Sequence, residues 1–223
     1  MRITRNRRRH NAFLAVTMAL LGMAALLAAG CAAMRSDSGP KEVYRAEIKP
    51  LNQDQSRSNV GGTALFEVYE SELVVTVSLT GAPPNMTHMQ HLHGFTQDED
   101  AECPDQSADR NNDGAIDLLE IEATMGRTLI PLHDQPAHLA IQGVYPRADA
   151  NGSLSYSQRI PLGQLKNALK AKHGLTEFDL EDMAITIHGV DAATPLPPSV
   201  KSLPGVRPQD SLPIACGELE EVD

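Results

Sequence analysis

The sequence has no tryptophan and few other aromatic residues: phenylalanine, tyrosine and tryptophan together account for 4% of its 223 positions. Hydrophobic residues still make up 41% of the chain, so a core must be built mainly from aliphatic side chains. Cysteine is scarce as well, and the three copies are Cys31, Cys103 and Cys216. They are few enough for each cysteine to be assigned a role individually.

Positive charge is also scarce, and much of it lies at the start of the chain. Residues 1–30 contain five of the 19 lysines and arginines and none of the 29 acidic residues, so residues 31–223 carry a net charge of −15. Nucleic acid is a poor partner for such an acidic surface. These 193 residues are enough for one domain with a sizeable core.

Residues 1–30 have the pattern of an export signal. A basic segment at 2–9 precedes an apolar run at 13–29, and small residues lead directly to Cys31. This pattern resembles a bacterial lipoprotein signal, and the resemblance implies cleavage before Cys31 and lipid on its sulfur. The alternative is a transmembrane anchor of about 17 residues, at the lower limit for spanning a bilayer. Both interpretations place the rest of the chain outside the cytoplasm.

The lipoprotein resemblance also predicts a location. Ala32 follows the cysteine, where an aspartate is the family's inner-membrane retention signal, so a lipid anchor in the outer membrane, facing the periplasm of a bacterial cell envelope, is expected. Residues 31–42 are small and polar and are interpreted as a lipidated tether. Residues 43–223 then form the domain.

The two remaining cysteines are expected to pair. With Cys31 assigned to the lipid, Cys103 and Cys216 most simply form one disulfide in an oxidising compartment.

Eight short segments have the features of β-strands, being β-branched or alternating and separated by Gly, Asn, Ser or Pro. They lie near 42–51, 62–70, 72–82, 87–95, 127–132, 152–160, 183–190 and 212–219. This number predicts a mainly β protein, a sandwich or small barrel. One surface helix is expected at 162–173, where Leu162, Leu165 and Leu169 recur at helical spacing and Gly174 follows. A short helix could also follow the loop at 109–120.

The stretch "HMQHLHGF" at 88–95 holds three of the eight histidines. In a strand, His91 and His93 project from one face together with Met89, whereas His88 projects from the other. Two imidazoles beside a thioether suit a soft ion such as Cu(I). A His-x-His pair on a solvated strand that binds no metal is the alternative.

The most specific motif is "DRNNDGAIDLLE" at 109–120, which matches the twelve-residue EF-hand calcium loop. The pattern makes six residues calcium ligands: Asp109, Asn111, Asp113, Ala115 through its carbonyl, Asp117 and Glu120. Gly114 stands at the sharp turn. The preceding segment contains a proline and no apolar stripe, so the entering helix of an EF-hand is missing, and no second loop is present to pair with this one. A weak structural calcium site is therefore expected, the alternative being an Asn/Asp/Gly-rich turn without an ion.

Taken in order, these elements resemble a divergent copper/zinc superoxide dismutase. The segment "ELVVTVSLTGAPPNMTHMQHLHGF" resembles the family's hairpin and His-x-His strand, "YPRADANGSLSY" its later turn and strand, "MAITIHGV" its further histidine strand, and "LPIACGEL" its cysteine-bearing tail. The chordin-type domain is a related possibility. The resemblance implies a Greek-key β-sandwich or barrel with one or two short helices, a copper site at His91, His93 and His188, and superoxide dismutation or copper binding.

The sequence departs from that family at three places. Asp109 stands where the family has the histidine that bridges copper and zinc. Pro213 stands where it has the arginine that guides superoxide, with Arg207 as a nearby substitute. His133 and His138 lie in the region of the zinc ligands, but their spacing fits poorly.

Two functions follow from these patterns. The first is a copper-binding, dismutase-like lipoprotein with a calcium-stabilised loop. The second is a non-catalytic, calcium-stabilised β-sandwich that serves as an interaction module. Hydrolase chemistry is disfavoured, because no nucleophile motif is present.

Overall fold

The computed structural model describes residues 39–177 and 179–222. The predicted signal at 1–30, the lipidation site at Cys31 and most of the tether lie outside the described residues. Within the described residues, the helices are all too short or too polar to cross a bilayer.

The protein is mainly β, as the sequence predicts, and all eight expected strands are present. Their bounds are β1 Glu42–Pro50, β2 Gly61–Val68, β3 Glu72–Thr80, β4 Gln90–Gly94, β5 Arg127–Pro131, β6 Leu154–Pro161, β7 Ala184–His188 and β8 Pro213–Glu221. The alternation of buried and exposed residues along β1 is typical of a strand with one face on the core and one in water.

The strands form one antiparallel sheet in the order β5-β4-β7-β8-β1-β2-β3-β6. The sheet curls around a largely aliphatic core to which both of its halves contribute, with Phe66 from β2, Leu92 from β4 and Ile185 from β7 among the members. Strands β4 and β7 are buried at every position, unlike β1. Their outer face must therefore be covered by other parts of the chain.

In the part of the chain that the structure describes, four short helices accompany the sheet. They are α1 Gln53–Ser56, α2 Leu118–Met125, α3 Leu162–His173 and α4 Pro208–Ser211. Helix α3 is the predicted surface helix: its three leucines are buried, and Gly174 ends it in the left-handed conformation. Helix α2 is the short helix expected after the loop at 109–120, and only a 3₁₀ turn, Gln106–Ala108, precedes that loop. The prediction that the loop lacks the entering helix of an EF-hand is thus confirmed.

A second, smaller apolar cluster covers the outer face of β7 and β8. It includes Ile121 and Met125 from α2, Ala184 from β7 and Cys216 from β8. Cys216 lies at disulfide distance from Cys103, with 1.96 Å between the sulfur atoms and 5.8 Å between the Cα atoms. The segment that contains the acidic loop is therefore held against this face of the sheet.

Candidate metal centre

Three of the predicted site residues converge at the sheet. One ring nitrogen from each of His91, His93 and His188 lies within 4.8 Å of the corresponding nitrogens of the other two. The ring centroids of His91 and His188 are 5.0 Å apart. All three side chains are almost completely buried, with exposures of 4%, 2% and 1%. This buried cluster could bind a metal ion.

The pairing of β4 with β7 explains the convergence. His91 lies opposite Thr186 and His93 opposite Ala184, while the backbone N–H of His188 donates to Met89 at 2.8 Å. Residues opposite each other in a ladder project from the same face, so His188 shares the face of His91 and His93. Leu92 points to the main core instead. The histidines therefore lie on the outer face of the sheet, the face that other parts of the chain cover along β4 and β7.

The hydrogen bonds of His91 fix which of its nitrogens is free. Its Nε2 is 3.0 Å from the hydroxyl oxygen of Tyr145, and that hydroxyl donates its own proton to the carbonyl of Ile141 at 2.8 Å. The tyrosine oxygen must therefore accept a proton from His91 Nε2–H. This leaves an unprotonated Nδ1, and that nitrogen is buried without a hydrogen-bond partner in the described part of the chain.

His188 is oriented by a backbone carbonyl. Its Nδ1–H donates to Ser211 at 2.8 Å, and its Nε2 is buried with no hydrogen-bond partner among the residues described. His93 has longer contacts, with Nδ1 at 3.4 Å from the carbonyl of Gly126 and Nε2 at 3.3 Å from the hydroxyl of Thr128. A carbonyl can only accept, so Nδ1–H is the donor in both rings and Nε2 carries the lone pair.

Burial lowers the pKa of all three imidazoles. The pKa of His93 falls to about 3 and that of His188 to about 4, with desolvation as the largest cause. The pKa of His91 lies well below its usual value, first because of burial and then because of the other histidines nearby. All three rings are therefore neutral at pH 7, which is the state in which imidazole binds metal.

The ring nitrogens of the buried His88 and His133 contact backbone groups. Both ring nitrogens of His88 face carbonyls, those of Pro83 at 2.9 Å and of His188 at 3.0 Å. His133 Nε2 contacts the carbonyl of Ala140 at 2.7 Å, and its Nδ1 accepts the N–H of Gln135 at 2.9 Å. The structure thus places His133 outside the three-histidine cluster.

The acidic loop at 109–120 has the internal hydrogen bonds of a preformed turn. The carboxylate of Asp109 accepts the N–H groups of Asp113 and Gly114, and Glu120 accepts those of Arg110 and Asp117. Gly114 has φ 87°, a conformation that suits glycine.

The loop also buries negative charge. Asp109, Asp117 and Glu120 are at most 9% exposed. None of them takes part in a salt bridge within residues 39–177 and 179–222. Their hydrogen-bond partners are thus neutral backbone groups.

An asparagine from another part of the chain clamps the centre of this loop. Asn52 Oδ1 accepts the N–H of Ile116 at 2.8 Å, and its Nδ2 donates to the carbonyl of Ile116 at 2.8 Å and to that of Pro213 at 2.8 Å. A side-chain amide that pairs with both backbone groups of one residue acts as a neighbouring strand would. The loop is thereby tied to the start of β8.

Helix α2 connects the acidic loop to His93. The helix begins with Asp117 as its N-cap, in a capping box with Glu120, and ends at Gly126. A Cβ at Gly126 would lie only 2.2 Å from the carbonyl oxygen of Gly94, so glycine is required there. This close approach places the Gly126 carbonyl beside the His93 ring.

A second connection leads to His188 through the proline-rich segment. Asp117 accepts the backbone N–H of Lys201 at 2.6 Å. The neighbouring Ser202 accepts a hydrogen bond from the hydroxyl of Ser211 at 2.7 Å, and the Ser211 carbonyl orients the His188 ring. The acidic loop is therefore linked to the supports of two of the three histidines, through helix α2 to Gly126 and through Lys201 and Ser202 to Ser211.

The predicted substitute for a guiding arginine is already engaged. Arg207 donates two hydrogen bonds to Asp210, at 2.8 and 2.7 Å, and its charge is thus largely offset. Pro213 stands at the first position of β8 and contributes no charge.

No family model matches this chain, and no curated protein sequence matches it either. The evidence for function therefore comes from the chemistry of the site.

Sequence reasoning missed the residues that support the cluster. Tyr145, Ser211 and Gly126 come from loops or helix ends far along the chain from the ligands they contact, and Asn52 lies in a turn with φ 47°.

Proposed function

We propose that this protein is a cell-envelope lipoprotein that binds copper through His91, His93 and His188, in a domain of the superoxide dismutase-like type. The observation that carries the proposal is the convergence of three neutral, buried imidazoles, two of which have a nitrogen with no hydrogen-bond partner among the described residues. A buried polar atom without a partner costs free energy. A metal ion that accepts these lone pairs would remove that cost.

The donor set favours copper. Imidazole suits zinc, copper, iron and nickel, and among first-row divalent ions Cu²⁺ has the highest general affinity for such sites. The cluster consists of histidines alone within the described part of the chain, which leaves an open coordination position. Bound copper alternating between Cu(II) and Cu(I) would supply the one-electron exchange that dismutation of superoxide to dioxygen and hydrogen peroxide requires.

The protein's own residues would hold and shield the ion. The carbonyls of Ser211 and Gly126 hold the Nδ1–H groups of His188 and His93, and this leaves Nε2 as the nitrogen with the lone pair in both rings. Burial of all three rings keeps them neutral, and it means that only small molecules could reach the ion.

The surroundings favour copper binding over rapid dismutation. The net charge of −15 on residues 31–223 repels an anion such as superoxide, and Arg207 is paired with Asp210. Copper binding is therefore the primary function proposed, and superoxide dismutation is the reaction to assay once copper is found.

The order of the elements supports the dismutase-like type. A hairpin of β2 and β3 leads to β4 with its His-x-His, β7 ends in the further histidine, and β8 carries the second cysteine of the pair. The pair at disulfide distance also supports an oxidising compartment, in agreement with the lipid anchor at Cys31 and a location in the outer membrane.

We further propose that the loop at 109–120 binds calcium. Burial of Asp109, Asp117 and Glu120 with only neutral partners is costly unless a cation offsets the charge. Calcium takes six to eight oxygen ligands from carboxylates and carbonyls, and the loop offers such a set. Its role is structural, because the loop is linked to the supports of the histidine cluster through helix α2 and through Lys201 and Ser202.

Elemental analysis tests the proposal directly. The chain from residue 32 onward, purified from the periplasm without added metal, is expected to contain one copper and one calcium. His91→Ala/His93→Ala should lose copper and keep calcium, whereas the control His138→Ala, which removes an exposed histidine, should keep both. Copper that persists in the double variant, or is absent from all three proteins, would overturn the copper site.

The second candidate is a non-catalytic module stabilised by calcium. It is favoured by one observation, that Asp117 of the acidic loop accepts the backbone N–H of Lys201 and so ties the loop to the partly exposed proline-rich segment. Calcium without copper in both the unmodified chain and the variants would support this candidate.

A further inference from the structure

Tyr145 contacts one of the three histidines through its hydroxyl group. The side chain comes from the segment between β5 and β6, and its ring meets the His91 ring edge-on at a centroid distance of 5.6 Å. It is 8% exposed. The hydroxyl accepts from His91 Nε2–H and donates to the carbonyl of Ile141, so the two bonds run in one direction from the histidine to the backbone.

We infer that Tyr145 is a positioning residue that holds His91 in the Nε2–H tautomer and thereby presents Nδ1 to the metal. The inference rests on the proposed metal site and deepens it. The carbonyl of Ile141 is an obligatory acceptor, so the tyrosine proton is committed to it and the tyrosine oxygen can only accept from the ring. In the opposite tautomer, Nε2 would face the tyrosine oxygen with no proton between them.

The choice of tautomer matters at this position more than at the other two. His188 and His93 donate to backbone carbonyls, which no side-chain substitution removes. His91 depends on a hydroxyl group, and its Nδ1 is a buried nitrogen without a hydrogen-bond partner among the described residues. Partners of this kind, which fix the tautomer and orientation of a ligating histidine, typically contribute about 10- to 100-fold to metal affinity.

The chain offers a closely matched control. Tyr156 is 7% exposed, and its hydroxyl also donates to a carbonyl, that of His133, at 3.0 Å. Tyr145→Phe and Tyr156→Phe each delete one buried hydroxyl group and keep the ring. A purely structural role would give both variants similar effects on melting temperature and on metal affinity.

Two measurements separate the outcomes. The first is the tautomer of His91 in the metal-free protein, read from ¹⁵N chemical shifts and ring couplings at pH 7. We expect Nε2–H alone in the unmodified protein and in Tyr156→Phe, and a substantial Nδ1–H population in Tyr145→Phe. The second is the Cu(II) dissociation constant, measured by competition with a chelator. It should rise about 10- to 100-fold in Tyr145→Phe and stay within about twofold in Tyr156→Phe.

An Nδ1–H tautomer of His91 in the unmodified protein, or an unchanged tautomer in Tyr145→Phe, would overturn the assignment. A changed tautomer with unchanged copper affinity would overturn the positioning role. If the tautomers behave as expected but the unmodified protein does not bind Cu(II), the proposed copper site fails and the hydrogen-bond assignment stands. The two ideas can therefore fail separately.

Discussion

Acidification should destabilise the metal-free protein through its buried histidines. The pKa of His93 is lowered to about 3 and that of His188 to about 4, from an ordinary value of 6.5. At pH values between the lowered pKa of each ring and 6.5, the unfolded chain binds protons that the folded chain does not. The free energy of unfolding therefore falls as the pH drops below 6.5, and it levels off only as the pH passes the folded values near 4 and 3.

The size of the effect follows from the same values. A pH of 5 is 1.5 units below the ordinary imidazole pKa of 6.5, and each unit corresponds to about 1.4 kcal/mol. Each buried ring therefore lowers the free energy of unfolding by roughly 2 kcal/mol at pH 5. The two rings together cost about 4 kcal/mol, and His91, whose pKa shifts in the same direction, adds to the loss. For a domain of this size, 4 kcal/mol corresponds to a fall of about 8 to 16 °C in melting temperature.

The assay is thermal unfolding of the metal-free protein at pH 7.5 and pH 5.0, with a chelator present. His93→Gln removes one titrating ring and should reduce the loss between the two pH values by roughly 2 kcal/mol. His138→Gln removes an exposed ring and serves as the control. Carboxylates titrate mainly below pH 5, so the comparison between variants isolates the histidines. Equal pH sensitivity in the unmodified protein and in His93→Gln would refute the assignment of His93 as a neutral buried imidazole.

Three further predictions concern the acidic loop and the cysteines. Glu120→Gln should abolish the rise in melting temperature caused by millimolar calcium, whereas the exposed control Glu122→Gln should keep it; the same rise in both variants would contradict the calcium site. Asn52→Ala leaves two backbone groups of the loop without partners, so it should cost about 2 kcal/mol in urea unfolding and weaken calcium binding measured by calorimetry. Cys103→Ser/Cys216→Ser opens a loop of 113 residues, for which the chain-entropy model gives about 5 kcal/mol at 25 °C. If guanidinium unfolding shows that this variant loses less than about 1 kcal/mol of unfolding free energy, the cysteine pair does not stabilise the fold.

The strands could be predicted because their signals are local. Alternating or β-branched runs bounded by Gly, Asn or Pro mark all eight, and the leucine spacing at 162–169 marks α3. The sequence also identified His91 and His93 as neighbours, because residues two apart on a strand share a face. These features depend on a few adjacent residues, which explains why they can be read without a fold.

The partners of the histidines could not be predicted in the same way. The position of His188 beside His91 depends on the register between β4 and β7, which lie almost 100 residues apart in the sequence. The contact of Tyr145 depends on the path of a long loop. Asn52 adopts a left-handed conformation and reaches Ile116, 64 residues away, through its side chain. Such contacts are set by tertiary packing, and no periodic pattern announces them.

The histidine cluster lies apart from the main hydrophobic core. The histidines lie on the outer face of β4 and β7, and the main core contains Leu92, Ile185 and Ile187 from the opposite face of the same strands. The sheet can therefore close around its core without a metal ion, unlike a small metal-dependent domain that is unfolded in its metal-free form. The outer layer, which contains the buried lone pairs of His91 and His188, is the part that the proposed metal ion would stabilise. Changes in this layer should consequently alter metal binding first and the integrity of the sheet only secondarily.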